Sequence, residues 1–130
     1  MMNPVVHFEM PYRDRDRAAR FYSAAFGWQT QMLGPEMGNY LLVTTAISDA
    51  KPGTAAGAID GGLFPFEPDS PAQYPAVVIA VEDVRAAMSR VAAAGGEVLG
   101  EPMQIPGIGQ YVAFIDTEGN RNSMLQPDMG

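Results

Sequence analysis

The sequence predicts an α+β fold in which two tandem βαβββ modules form a half-open barrel with the helices outside. Three observations carry this expectation. Each half of the chain runs from a strand pattern into a capped amphipathic helix and then into three further strand patterns. The halves superpose at an offset of about 69 residues, which sets Asp83 on Asp14 and Gly96 on Gly27. A proline-rich stretch, PFEPDSPAQYP, separates them. Module one is therefore placed at 1–65, the connector at 65–75 and module two at 75–130, all within one domain.

The first strand is PVVHFEMPY at 4–12, where alternation sets His7 and Glu9 on one face and Val6, Phe8 and Met10 on the other. Asp14 caps the helix that follows. Its apolar positions Ala18, Phe21, Tyr22, Ala25 and Phe26 recur at helical spacing, and Gly27 suits a left-handed exit. The arginines at 13, 15, 17 and 20 read as a solvated helix face. Strands are expected at 28–33, 39–46 and 55–64. In the second half AVVIAVEDV is a strand running into the Asp83 cap. Val84, Ala87, Met88, Val91 and Ala94 make a helical stripe ended by Gly95 and Gly96, and strands follow at EVLGEPM, QYVAFID and RNSMLQP.

A chain of 130 residues with 47 % apolar and 18 % charged residues can bury a core unaided. The net charge of −7 repels phosphate backbones and anionic lipid heads, so neither nucleic acid nor a membrane is an expected partner. Without cysteine there is no disulfide framework, thiolate metal site or cysteine nucleophile. The start, MMNPVVHFEM, has no basic run and no apolar stretch of signal or membrane length, and the expected location is cytoplasmic.

Curling the two sheets around a concave face leaves that face for a ligand. His7, Glu9 and Pro11 are expected to line it from the first strand, and Ala76, Val78 and Ala80 from the equivalent strand of module two. His7 and Glu9 are the candidate acid–base pair, since a carboxylate beside an imidazole raises its affinity for a proton. Tyr40 and Tyr111 are candidates for the lining, while Met103 and the Ile105–Gly109 loop are candidates for an adaptable rim. Asp116, Glu118 and Asn120 are explained by turn chemistry alone.

The stretches HFEMPYRDRDRAARFYSAAFGW, AIDGGLF, AVEDVRAAMSRVAAAGGEV and MQIPGIGQYVAFIDTEGNRNSMLQ resemble the glyoxalase/bleomycin-resistance/dioxygenase group, also called the vicinal oxygen chelate superfamily. Within it the chain resembles proteins labelled as predicted relatives of lactoylglutathione lyase. Metal enzymes of the group carry His, Glu or Gln at matching points of each module's first and last strands. Here the resemblance places His7, Gly61 or Gly62, Ala76 and Ser123 at those points, so His7 alone keeps a ligand. The expectation is no metal and no cofactor. It is a protein that binds a small, partly apolar organic molecule, as a binder or as a metal-independent lyase/isomerase-type enzyme. The ligand-binding candidates are Tyr40, Ala76, Val78, Met103, Ile105, Tyr111 and Ser123. The alternative is a metal-dependent glyoxalase or ring-cleaving dioxygenase completed by Glu9 or Asp60. The resemblance also implies a homodimer.

Overall fold

The computed structural model describes residues 2–46, 58–71 and 73–128. Its backbone divides into two compact units, one of His7–Pro75 and one that joins the residues up to Val6 to the chain from Ala76 on. Each half of the chain has the order β-α-β-β-β. Strand β1 (Val5–Tyr12) precedes α1 (Arg15–Phe26), β2 (Gln29–Met32), β3 (Leu41–Thr44) and β4 (Asp60–Pro65). Strand β5 (Ala76–Ala80) precedes α2 (Val84–Ala93), β6 (Glu97–Ile105), β7 (Gly109–Ile115) and β8 (Arg121–Pro127). The α+β class read from the sequence is the one observed. Residues 55–57 of the strand expected at 55–64 lie outside the described residues.

In the first unit β4 runs parallel to β1, with His7 opposite Asp60 and Glu9 opposite Gly62, and antiparallel to β3, which pairs antiparallel with β2. The second unit repeats this: β8 runs parallel to β5, with Val78 opposite Ser123, and antiparallel to β7, which pairs with β6. Strand β6 shifts register between Leu99 and Met103, where Gly100 takes a φ of 88° that an L side chain rarely adopts. The start of the chain belongs to the second unit through a backbone bond of 2.9 Å, from the Ala80 amide to the Pro4 carbonyl.

Both helices begin on the aspartates that the sequence singles out. The Asp14 carboxylate accepts from the Arg17 amide, and Asp83 Oδ1 accepts from the amides of Arg85 and Ala86 at 3.0 and 3.1 Å. Helix α1 leaves at Gly27 with φ 71°. Its buried side is narrower than the apolar stripe suggested: Ala19 is buried and Ala18 and Tyr22 pack beside it, whereas Phe21 and Phe26 are 56 % and 64 % exposed. Residues 18, 19 and 22 share one helical face, and 21 falls off its edge. That side meets Leu41, Val43 and Leu63, with Phe8, Met10, Tyr12 and Trp28 around them. In the second unit Val84 and Ala87 of α2 are buried against Val81, Val112, Phe114 and Met124, flanked by Met88 and Val91. The apolar face of each first strand is thereby turned to its own helix, and the alternate residues are left on the other face.

Candidate functional site

Strand β1 holds Phe8, Met10 and Tyr12 toward α1, so His7 and Glu9 stand together on the opposite face, two residues apart. Tyr40, immediately before β3, reaches that face from across the sheet. Its hydroxyl donates to Glu9 Oε2 at 2.9 Å and lies 2.9 Å from His7 Nε2. A carboxylate only accepts, so the single phenolic hydrogen is committed to Glu9. His7 Nε2 must then be the donor to the phenolic oxygen, which fixes the Nε2–H tautomer. The three side chains form one polarised chain that ends on the carboxylate.

Burial pushes the His7 pKa below its ordinary value, and the charges of Glu9 and Asp60 oppose this without cancelling it. Glu9 does raise the proton affinity of His7, as the sequence suggests, but desolvation outweighs both carboxylates. The imidazole is neutral at neutral pH. Asp60 is the register partner of His7, and its Oδ1 accepts from the Thr45 amide at 2.8 Å.

Gly62 explains how Tyr40 gets there. The ring lies where a side chain at position 62 would project, and a Cβ on Gly62 would stand 1.9 Å from Tyr40 Cε2. The neighbouring Gly61 gives the same room to the Phe8 ring on the other face. Arg15 holds the backbone beneath Tyr40: its Nη1 donates to the Leu33 carbonyl at 2.7 Å and lies 3.4 Å from the Tyr40 carbonyl. Arg13 lies over the Phe66 ring at 3.9 Å. The arginine run is thus a solvated face only at Arg17 and Arg20, because its first two members are drawn into contacts distant in sequence. No local pattern announces those contacts.

The registers also settle which glycine matches Ser123. Glu9 pairs with Gly62 as Val78 pairs with Ser123, and Leu42 pairs with Gly62 as Ala113 pairs with Ser123. Tyr40 and Tyr111 each stand two residues before that last partner, so they are equivalents. In the second unit the Ser123 hydroxyl bonds the Tyr111 hydroxyl at 2.6 Å. Each module therefore sets a tyrosine hydroxyl at the point reached by its last strand. The environments differ: His7 and Glu9 have Ala76 and Val78 as counterparts. Val78 and Ser123 are only 3 % and 5 % exposed.

Met103 is 57 % exposed and sits opposite Tyr111. The Ile105–Gly109 segment, expected as an adaptable rim, is a tight reversal between β6 and β7. The Ile108 amide donates to the Ile105 carbonyl at 3.0 Å, and a Cβ on Gly109 would meet the Gln126 carbonyl oxygen at 2.1 Å. The Asp116 turn is as the sequence reads it, with Oδ1 accepting from the amides of Glu118 and Asn120 at 2.8 and 2.9 Å.

Comparison with known proteins identifies the class. A model of the glyoxalase/bleomycin resistance protein/dioxygenase superfamily matches residues 5–124, and the chain belongs to that superfamily. It is 33 % identical over 119 residues to a glyoxylase-like domain-containing protein of Didymella fabae, covering 89 % of this chain and 88 % of that one. It is 34 % identical to the anthracycline biosynthesis protein DnrV of Streptomyces peucetius over 86 % of its own length, but spans only 42 % of that relative. Among solved structures, a methylmalonyl-CoA epimerase variant of Streptomyces coelicolor in complex with 2-nitronate-propionyl-CoA shares the fold. Its TM-score is 0.70 at 19 % identity, with 99 % and 100 % of the two chains covered.

The divalent ion associated with this superfamily does not fit the donors present. Among the described residues no three His, Cys, Asp or Glu side chains gather around one point. Gly62, Ala76 and Ser123 offer no imidazole or carboxylate at the matching positions, and His7 and Glu9 are already bonded to Tyr40.

Proposed function

We propose that this protein binds a small, partly apolar organic molecule bearing a carbonyl or carboxylate, and that it acts on it without a resident metal, in a lyase/isomerase-type proton transfer. The observation that carries this reading is the Tyr40 hydroxyl held 2.9 Å from both His7 Nε2 and Glu9 Oε2. Glu9 is the base. It takes a proton from the carbon next to the ligand's carbonyl, and the electron pair left behind moves onto the carbonyl oxygen to give an enolate. Once Glu9 carries that proton it no longer needs the Tyr40 hydrogen. The phenol, with the Nε2–H of His7 donated to its own oxygen, is then the donor for the new oxyanion. The epimerase of like fold, solved with a nitronate analogue of a CoA thioester, supports placing the chemistry in the isomerase class. The net charge of −7 argues against a polyphosphate as the preferred ligand here. A cytoplasmic location and a homodimeric state, as read from the sequence, belong to the same proposal.

The test is thermal-shift screening of the full chain in EDTA with free acids, ketones, nucleotides and a CoA thioester, followed by deuterium uptake from D2O at the α-carbon of any stabilising compound. A free acid or ketone is expected to stabilise the protein. Uptake should fall at least about a hundredfold in Glu9→Gln and about tenfold in Tyr40→Phe. Stabilisation by the CoA thioester or nucleotides alone, or exchange that requires added metal, would overturn the proposal.

A further inference from the structure

We infer that the second unit carries a separate binding site for a small apolar carboxylate, beneath the C-terminal half of α2. A cavity of about 220 Å³ opens there. Val81, Phe114 and Met124 line it from the sheet side, and Ala87 and Val91 line it from α2. This is the helix-facing side of the strands. Met124 pairs with Ile79 in the register in which Ser123 pairs with Val78, and successive strand residues point to opposite faces. The cavity is therefore on the reverse of the face that carries the Ser123–Tyr111 pair.

Two polar side chains stand at its mouth, Asn3 and Arg90. Both residues are exposed. Among the described residues neither side chain has a hydrogen-bonding or ionic partner, whereas Arg85 of the same helix is paired with Glu101 at 3.2 Å. A guanidinium presents parallel donors that match a carboxylate, and an amide beside it supplies one more. The negative end of the α2 dipole opposes an anion there. That opposition is blunted because the carbonyls of Arg90 and Val91 already accept from the amides of Ala94 and Gly96, both at 2.9 Å.

Size and charge together select the occupant. The space is open to solvent on one side, and its volume sets an upper size of about a single aromatic ring or a chain of six carbons. A neutral or cationic molecule of that size gains the apolar contact but not the guanidinium. The ligand is a short monocarboxylate, with its tail against Phe114 and Met124 and its head at Arg90.

Hexanoate, hexanol and hexylamine are titrated into the full chain carrying methyl-labelled methionine, with the Met124 methyl resonance as readout. Hexanoate should shift it saturably and bind at least about tenfold more tightly than either analogue. Arg90→Gln, an exposed change that leaves the fold intact, should remove that advantage while His7→Gln leaves it unchanged. Ala94→Phe, which narrows the mouth, should weaken binding of all three. The proposal fails if Met124 does not respond, if the three compounds bind alike, or if Arg90→Gln has no effect. It also fails if His7→Gln abolishes the response, which would assign the binding to the His7–Glu9–Tyr40 site instead.

Discussion

The ring of Tyr40 fills the place of a side chain on Gly62: a Cβ there would come within 1.9 Å of Tyr40 Cε2 and 2.2 Å of its hydroxyl oxygen. The absence of a side chain on β4 is thus a condition for the hydroxyl that bridges His7 and Glu9. Gly62→Ala should expel the ring, cost about 1–3 kcal/mol in urea denaturation and abolish the ligand response to the same degree as Tyr40→Phe. A Gly62→Ala protein with wild-type stability and ligand response would show that Tyr40 does not depend on this gap.

Stability should depend on His7 with a definite sign. Its pKa in the folded protein lies below the ordinary histidine value of 6.5, so the unfolded chain takes up the proton first as the pH falls. The contribution of neutral His7 is fully present above about pH 6.5 and is lost as the pH drops from there toward the folded-state pKa. Denaturation of wild type and His7→Gln at pH 7.5 and 5.5 isolates it. The wild type should lose more stability over that interval than the variant, and equal losses would refute the shift.

Chelation should leave the protein as it is. With no cluster of three donors among the described residues, protein purified without added metal should carry well below one equivalent of zinc, iron, manganese or nickel. Its Tm should be unchanged by EDTA. Near-stoichiometric metal whose removal lowers the Tm would restore the metal-enzyme reading.

The two helix caps should differ in worth. Asp83 satisfies two amides and Asp14 is bonded to one, so Asp83→Ala is expected to cost about 1–2 kcal/mol and Asp14→Ala about 0.5–1 kcal/mol. Denaturant midpoints of the two variants, at unchanged m-value, provide the comparison.

What could be read in the sequence is what depends on short separations. The caps at Asp14 and Asp83, the exit at Gly27, the Asp116 turn and the shared face of His7 and Glu9 all follow from residues within four positions of one another. The partner of that face does not. Tyr40 is 31 and 33 positions away from Glu9 and His7, and nothing local to a tyrosine beside a strand says whether it packs or hydrogen-bonds, so only the strand register brings its hydroxyl to them. The same holds for Arg15, bonded 18 and 25 positions away, which composition alone assigned to solvent. The choice between Gly61 and Gly62 was likewise undecidable before pairing was known, because one residue of register moves a position to the opposite face. The internal repeat is faint for a related reason. Its offset of about 69 residues holds through the first strand and helix of each module, and changes at the later strands, where loop lengths differ.

The bond from the Ala80 amide to the Pro4 carbonyl makes the two sequence halves poor units for dissection. A fragment cut at the connector and beginning near Ala76 would lack the residues up to Val6 that belong to its own compact unit. It would also present β5 with that backbone donor unmet, on an edge open to other chains. Such a fragment should aggregate when expressed alone and recover on addition of a peptide spanning the first dozen residues.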